Sequence, residues 1–512
     1  MARIAALIVA GATGAGAQPE SVPGVDQTIA RGERLAAANH LDEAASLARD
    51  VLTRHPESSR AHYLLGVVHE RGQSFEAAIT EYRAAIARAP KLAEAHDRLG
   101  FVLGLVGRTD DAIAEFEQAI AIRPTFFDAL YHLGATLWWT KQIEPARAAL
   151  GRAVALRPTH AEARYYLGVA ERQQGDLTAA IRDLRVALRH APMLAAAHTQ
   201  LGVALQASGD LDGAVAEFRR AVDLDPTLSD AGNSLGLALM QRGDADQAIE
   251  ALRAVIARYP DHAAARLNLG TALMQKGDLA GATAEYRELT RRDPANAEGF
   301  YDLGLALKQQ DDFDEAERAL RTAMDADTTL PEAPYTLGVV LWQTGRADEA
   351  ATLFEKALAR RPQYADAHYM LGTVYRQQGN LDRAMSEFRE TIRINPSSAE
   401  AHTSLGQALQ ATRDPEGSAA AFAEADRLTK RKADAQAAVF AVNAGLEQLK
   451  ADNVSRAIAQ FREAVRLDPD NAQAHFQLAL ALRRRGALAE SRKELQAARR
   501  LAPYLKAADL QP

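Results

Sequence analysis

The chain has 512 residues, with 60 Lys and Arg against 67 Asp and Glu, and its net charge of −7 is too mild to point to nucleic acid or to an acidic tail. It contains no Cys, which excludes disulfides, thiolate nucleophiles, Cys-ligated metals and lipid-anchored Cys. With 47% hydrophobic and 25% charged residues the composition is that of a soluble protein, and a chain this long divides into several domains unless it is built from repeats.

Residues 1–17, MARIAALIVAGATGAGA, read as a secretory signal peptide. Arg3 supplies the positive start, 4–10 the apolar run, and Ala15-Gly16-Ala17 a small-residue cleavage site. The run is too short to span a bilayer. Cleavage after Ala17 removes Arg3 and no acid, taking the charge from −7 to −8. Residues 18–24 follow as a linker. The expectation is an exported, bacterial-type protein, periplasmic or secreted, with no membrane-spanning segment in the mature chain; the other reading is a cytoplasmic chain with an Ala/Gly leader.

From about residue 25 the sequence repeats every 34 residues. Gly32 is the first register mark, and eleven Leu-Gly pairs follow, from Leu65-Gly66 to Leu405-Gly406. Twelve residues after each of these Gly stands a small residue, such as Ala112, Ala146 or Ala180. Sixteen after stands a bulky one, such as Phe116, Leu150 or Leu184, and twenty-four after usually a Pro, such as Pro90, Pro124 or Pro158. Each unit therefore reads as helix A, a turn, helix B and a Pro-containing link. Gly107, Gly175, Gly243 and Gly277 suit a left-handed residue at the end of helix A. Asp176, Asp210, Asp244 and Asp278 suit the N-cap of helix B. The small residues let helices A and B approach, and the bulky ones fill the gap to the next helix A.

The phase holds to Gly406 and then slips, since the next equivalent Gly is Gly445, 39 residues on. The intervening stretch is rich in Ala and lacks Pro past 415, so helix B is expected to run on into the next helix A, with a kink near 430–434. The last unit is basic (Arg483, Arg484, Arg485, Arg492, Lys493, Arg499 and Arg500), as a solvated terminal cap would be.

This pattern resembles the tetratricopeptide repeat family, whose unit is a 34-residue helix–turn–helix. The family's frequent Trp four residues before the Gly is missing; His62, His96, His198, His368 and His402 are among the residues in its place. The resemblance implies an all-α fold, a right-handed α-solenoid of about fourteen repeats. Twelve in-phase units would occupy 25–432, a helical junction 433–437, two further units 438–505 and a tail 506–512.

The resemblance also implies that helix A lines a concave groove that takes extended peptides. The inner places lie three before and one, four and five after the Gly, on one helical face. Five after stand Gln173, Gln241, Gln275, Gln309, Gln343 and Gln377; three before stand Tyr131, Tyr165, Tyr301, Tyr335 and Tyr369. All three Trp fall on the same face, at Trp138, Trp139 and Trp342, and Arg172, Lys308 and Arg376 sit beside the Gln, suited to acidic side chains. A carboxamide both donates and accepts, so a row of Gln can pair with any peptide backbone, and Tyr and Trp are common interface anchors. The bland alternative is that Gln is simply a soluble helix former and that Tyr stiffens packing between units. The arrangement is similar to the amide-lined superhelix of the O-linked N-acetylglucosamine transferase family, although only Asn268 matches that family's Asn-Leu-Gly.

No catalytic constellation, phosphate loop or metal motif occurs in the sequence, so the expectation is no enzyme, no cofactor and no metal. Six His share one place, once per unit, and read as packing or capping residues. The Lys/Asn/Arg clamp of chaperone-tail binders is missing. Glu94, Asp128, Glu162, Asp230, Glu298 and Glu332 at the groove edge disfavour nucleic acid. No feature assigns an oligomeric state. The expected function is a scaffold binding a protein or peptide in extended form. The alternatives are the substrate-recognition arm of a glycosyltransferase-like complex with a separate catalytic subunit, and a glycan-binding protein.

Overall fold

The computed structural model describes residues 24–502; the leader at 1–17, nearly all of the 18–24 linker and the 506–512 tail lie outside them. Among the described residues there are 27 α-helices and no strand, arranged as an α-solenoid. The chain forms two compact bodies, one up to Asp278 and one from Leu279 onward. None of the helices is long and apolar enough to cross a membrane.

One unit shows how the sequence builds the pair. Helix A runs Ala161–Gln173 and buries Ala163, Tyr166, Leu167 and Ala170, apolar places three or four apart. Its first turn is capped by His160, whose Nδ1 accepts from the Ala163 N–H at 3.2 Å. Helix B runs Leu177–His190 and opens on Asp176, whose carboxylate accepts from the Ala179 N–H at 3.0 Å. Asp210 caps in the same way, but Asp244 does not: Arg242 Nε donates to it at 2.5 Å and holds its carboxylate instead. The turn between the helices needs a left-handed residue. Gly supplies it at eight places, with φ between 76° and 91°, while Asn39, Gln73, Lys141, Asp311, Arg413 and Asp452 adopt it at the same place in other units.

Within each body every helix packs on its neighbours in sequence, and each helix A also touches the next helix A; no two successive helices B make comparable contact. Within each body, successive helices A therefore lie closer together than successive helices B. The close approach rests on the unit's Gly. A Cβ on Gly100 would lie 2.8 Å from the Phe116 ring, and on Gly168 2.8 Å from Leu184 Cγ. The bulky residue therefore fits first against its own helix A. It also reaches the following one, since the Phe116 ring stands 5.6 Å from that of His132.

Past Gly406 the period gives way to one helix of 36 residues, Pro415–Lys450, with no break at 430–434. Asp414 caps it and Pro415 sits in the first turn, where a missing N–H costs nothing. Because helix B and the next helix A are one rod, no separate helix packs in front of its second half, and Phe440 is left 71% exposed beside exposed Val439.

Candidate peptide-binding face

In six units the place five after the Gly, at the end of helix A, carries a Gln. Gln173, Gln241, Gln275, Gln309, Gln343 and Gln377 are all exposed. The structure adds a coupling between neighbouring units. Trp138 Nε1 donates to Gln173 Oε1 at 3.0 Å, and Trp342 Nε1 donates to Gln377 Oε1 at 2.9 Å. Gln206 Nε2 donates to Gln241 Oε1 at 2.9 Å. Each bond joins the place four after one Gly to the place five after the next, 35 residues on. An indole N–H can only donate, so at Gln173 and Gln377 it fixes which way the carboxamide points: the oxygen turns to the indole, and the Nε2 donors remain for a ligand.

The aromatic residues divide. Trp139 is 47% exposed, while Trp138 and Trp342 are half-buried; the Trp138 ring lies 5.4 Å from that of Tyr166 and 6.5 Å from that of Trp139. Tyr165, Tyr301, Tyr335 and Tyr369 are half-buried. The rings of Tyr335 and Tyr369 lean on the bulky residue of their own unit, Phe354 and Phe388, each at 5.9 Å, so these Tyr also serve packing. Tyr131 departs from the exposed inner place assigned to it. It is 4% exposed, with Phe127 stacked at 6.1 Å, His160 at 5.3 Å and Tyr166 at 6.2 Å closing over the ring, and its hydroxyl has no hydrogen-bond partner. It belongs to the core behind the face.

The charges are also sorted. At the edge, Glu94 pairs with Arg123 at 2.5 Å, Asp128 with Arg157 at 3.4 Å and Glu332 with Arg361 at 2.8 Å. Each Arg stands 29 residues beyond its acid, in the link that ends the same unit. Arg172, Lys308 and Arg376 on the face are half-buried and have no ion-pair partner among the described residues, and the Nε of both Arg172 and Arg376 is buried without a hydrogen bond. Burial pulls the Arg172 pKa down, opposed by Tyr165. Asn268 Nδ2 donates to Asn233 Oδ1 at 2.8 Å, a single amide pair rather than a row.

Tetratricopeptide repeat models match residues 29–93, 106–170, 195–228 and 442–505, and a model described as the Cilia and flagella-associated protein 70 C-terminal domain matches 228–442. The crystal structure of MamA is 30% identical, and the match covers 32% of this chain and 96% of that one, with a TM-score of 0.31. The chain belongs to the tetratricopeptide repeat family. Among other similar structures are Pseudomonas aeruginosa PilF, at 20% identity over 43% of this chain and 97% of that one with a TM-score of 0.37. Another is YrrB, described as a TPR protein with an unusual peptide-binding site, at 19% identity over 44% and 96% of the two chains with a TM-score of 0.30. A comparison with curated protein sequences found no match. The tetratricopeptide architecture supports a protein-interaction role.

In this tetratricopeptide chain the recurring His ties helix A to helix B in at least four of the units. Nδ1 of His96, His198, His368 and His475 meets a Glu of the same unit's helix B at 2.6 Å, and Nε2 meets the carbonyl of the preceding Pro at 3.0 to 3.1 Å. Both ring nitrogens of each face acceptors, and at His96 and His368 these bonds hold the pKa above its ordinary value. Among the described residues no group of three or more His, Asp or Glu is placed to hold a metal ion. Neither the Trp–Gln bonds nor the His–Glu bonds emerged from reading one column of the repeat at a time. Both were signalled by fixed spacings between columns, 35 and 19 residues.

Proposed function

We propose that this protein is a non-catalytic scaffold that holds an extended peptide segment along the helix A face of its repeats. The observation that carries the reading is the row of six exposed Gln, of which Gln173, Gln241 and Gln377 have carboxamides oriented by Trp138, Gln206 and Trp342, with their donors left for a ligand rather than spent within the fold. Such donors pair with backbone carbonyls of any sequence, and the adjoining indoles supply apolar area at low entropic cost. The 1–17 leader places the scaffold outside the cytoplasm in this reading, which N-terminal sequencing of the mature protein would test.

The direct test is to select binders from a displayed library of unstructured peptides and measure them by fluorescence anisotropy on the wild type and on Gln173→Ala with Gln377→Ala. The expected result is at least about tenfold weaker binding by the double variant, the loss of roughly one charge-free hydrogen bond per site. Equal affinity would move the site off this face. Saturable binding of oligosaccharides with none of peptides would select a glycan-binding protein instead.

A further inference from the structure

We infer that Trp138–Gln173 and Trp342–Gln377 are two copies of one carboxylate-binding station, so that the peptide held on the helix A face is acidic. The inference rests on the peptide-binding reading above and names the chemistry of its ligand. The two stations lie one in each body and match in detail. Each has an indole N–H bonded to the carboxamide oxygen of the next unit, at 3.0 and 2.9 Å. The residue before that Gln is an Arg, Arg172 or Arg376, with no ion-pair partner among the described residues and a buried, unbonded Nε. The Gln that follows donates within the fold in both, Gln174 to Glu144 and Gln378 to Asp348.

The chemistry then follows from counting donors. The carboxamide oxygen already accepts from the indole, and the groups left without an acceptor in the fold are Gln Nε2 and the guanidinium, which only donate. A carboxylate only accepts, and its bonds to a guanidinium are charge-assisted, roughly twice as strong as neutral ones. The acids at the groove edge do not serve these cations. Asp128 and Glu332 are held by Arg157 and Arg361, and Glu162 is ten residues before Arg172 on the same helix, about 15 Å along its axis. The remaining bond of this type, Gln206 to Gln241, works as an internal contrast. Its carboxamide is oriented in the same way, but Met240 stands where the stations have Arg, so it offers no cation.

The test is isothermal titration of the full chain with a blocked decapeptide of alternating Glu and Pro, against the same peptide with Gln for Glu. Proline keeps the probe extended and leaves its carbonyls free for the Gln donors. The wild type should bind two Glu peptides per chain, Arg172→Gln and Arg376→Gln one each, and the double variant none. The Gln peptide should bind at least about tenfold more weakly. Arg172→Lys, which keeps the charge but loses the fork, should restore the site in part, and unchanged melting curves would exclude unfolding as the cause. Equal binding of the two peptides, stoichiometry unmoved by the Arg variants, or displacement by inorganic phosphate at the same concentration as the peptide would overturn the carboxylate station. If library peptides still bind through Gln173 and Gln377, the scaffold reading survives that result; if no peptide of either kind binds, both fall.

Discussion

At Gly168 an added Cβ would meet Leu184 Cγ at 2.8 Å and the Ala180 carbonyl at 3.2 Å, whereas at Gly151, inside a neighbouring helix B, it would meet nothing within 4 Å. One substitution therefore has opposite signs at the two positions. Gly168→Ala should destabilise by roughly 1–3 kcal/mol through overpacking, and Gly151→Ala should stabilise by about 0.5–1 kcal/mol by restraining the unfolded chain. Urea denaturation of the two variants decides it. Buried carboxyls act at the same scale. Burial, then the neighbouring Glu298, raises Asp302 from 3.8 to about 7; burial, then Asp183, raises Glu171 from 4.5 to about 7, with Arg182 opposing. Between the unfolded and folded values the native state keeps a proton that the unfolded chain gives up, so stability falls as pH rises through that window and stays reduced above it. Asp302→Asn should accordingly raise the melting temperature at pH 8, with the gain shrinking below about pH 7 and gone below about pH 4. An equal gain at both ends of the range would mean that ionisation is not the cause.

At the scale of the helix pair, the His–Glu bond holds helix A to helix B where other members of the family place a Trp. Burial lowers the His96 pKa, but its bonds to Glu115 and the Pro90 carbonyl more than offset that, and His96 ends above its ordinary 6.5. His368 is raised first by Glu387, then held back by burial and helped by the Pro362 carbonyl and Glu390. A His with a raised folded pKa contributes stability that is complete below its unfolded value and is lost as pH rises through the folded one. The His96→Gln, His368→Gln double variant should therefore melt below the wild type at pH 6 and approach it at pH 9; a gap independent of pH would make these rings packing residues only. The helices, their turns and the Gly contacts were legible in the 34-residue period, because the same small and bulky residues recur at the same places. The exposed Gln row was legible for the same reason. The burial of Tyr131 was not, since a column of similar Tyr hides the fact that only this one has Phe127, His160 and Tyr166 around it. Nor was the sharing of Gln173 and Gln377 with Trp, because that depends on which side chain stands in the adjoining unit.

Among the described residues, the helix contacts within each body connect helices close in sequence, so stability is a sum of unit and neighbour terms and local damage should stay local. The long helix Pro415–Lys450 offers the sharpest test. Lys430 occupies the place, twenty-four after Gly406, at which most other units carry the Pro that ends helix B. Its side chain is exposed, so replacing it removes no core contact. Lys430→Pro would restore the family residue in a setting where the chain continues as helix, abolishing one backbone bond and forcing the ring against the carbonyl four residues earlier, at a cost of about 3 kcal/mol. Hydrogen exchange should then rise across 415–450 and in the helix Val454–Leu467 that packs on it, while helices of the body ending at Asp278 keep their protection. Loss of protection throughout the chain would show instead that the array unfolds as one cooperative block, and the summed-neighbour description would have to be abandoned.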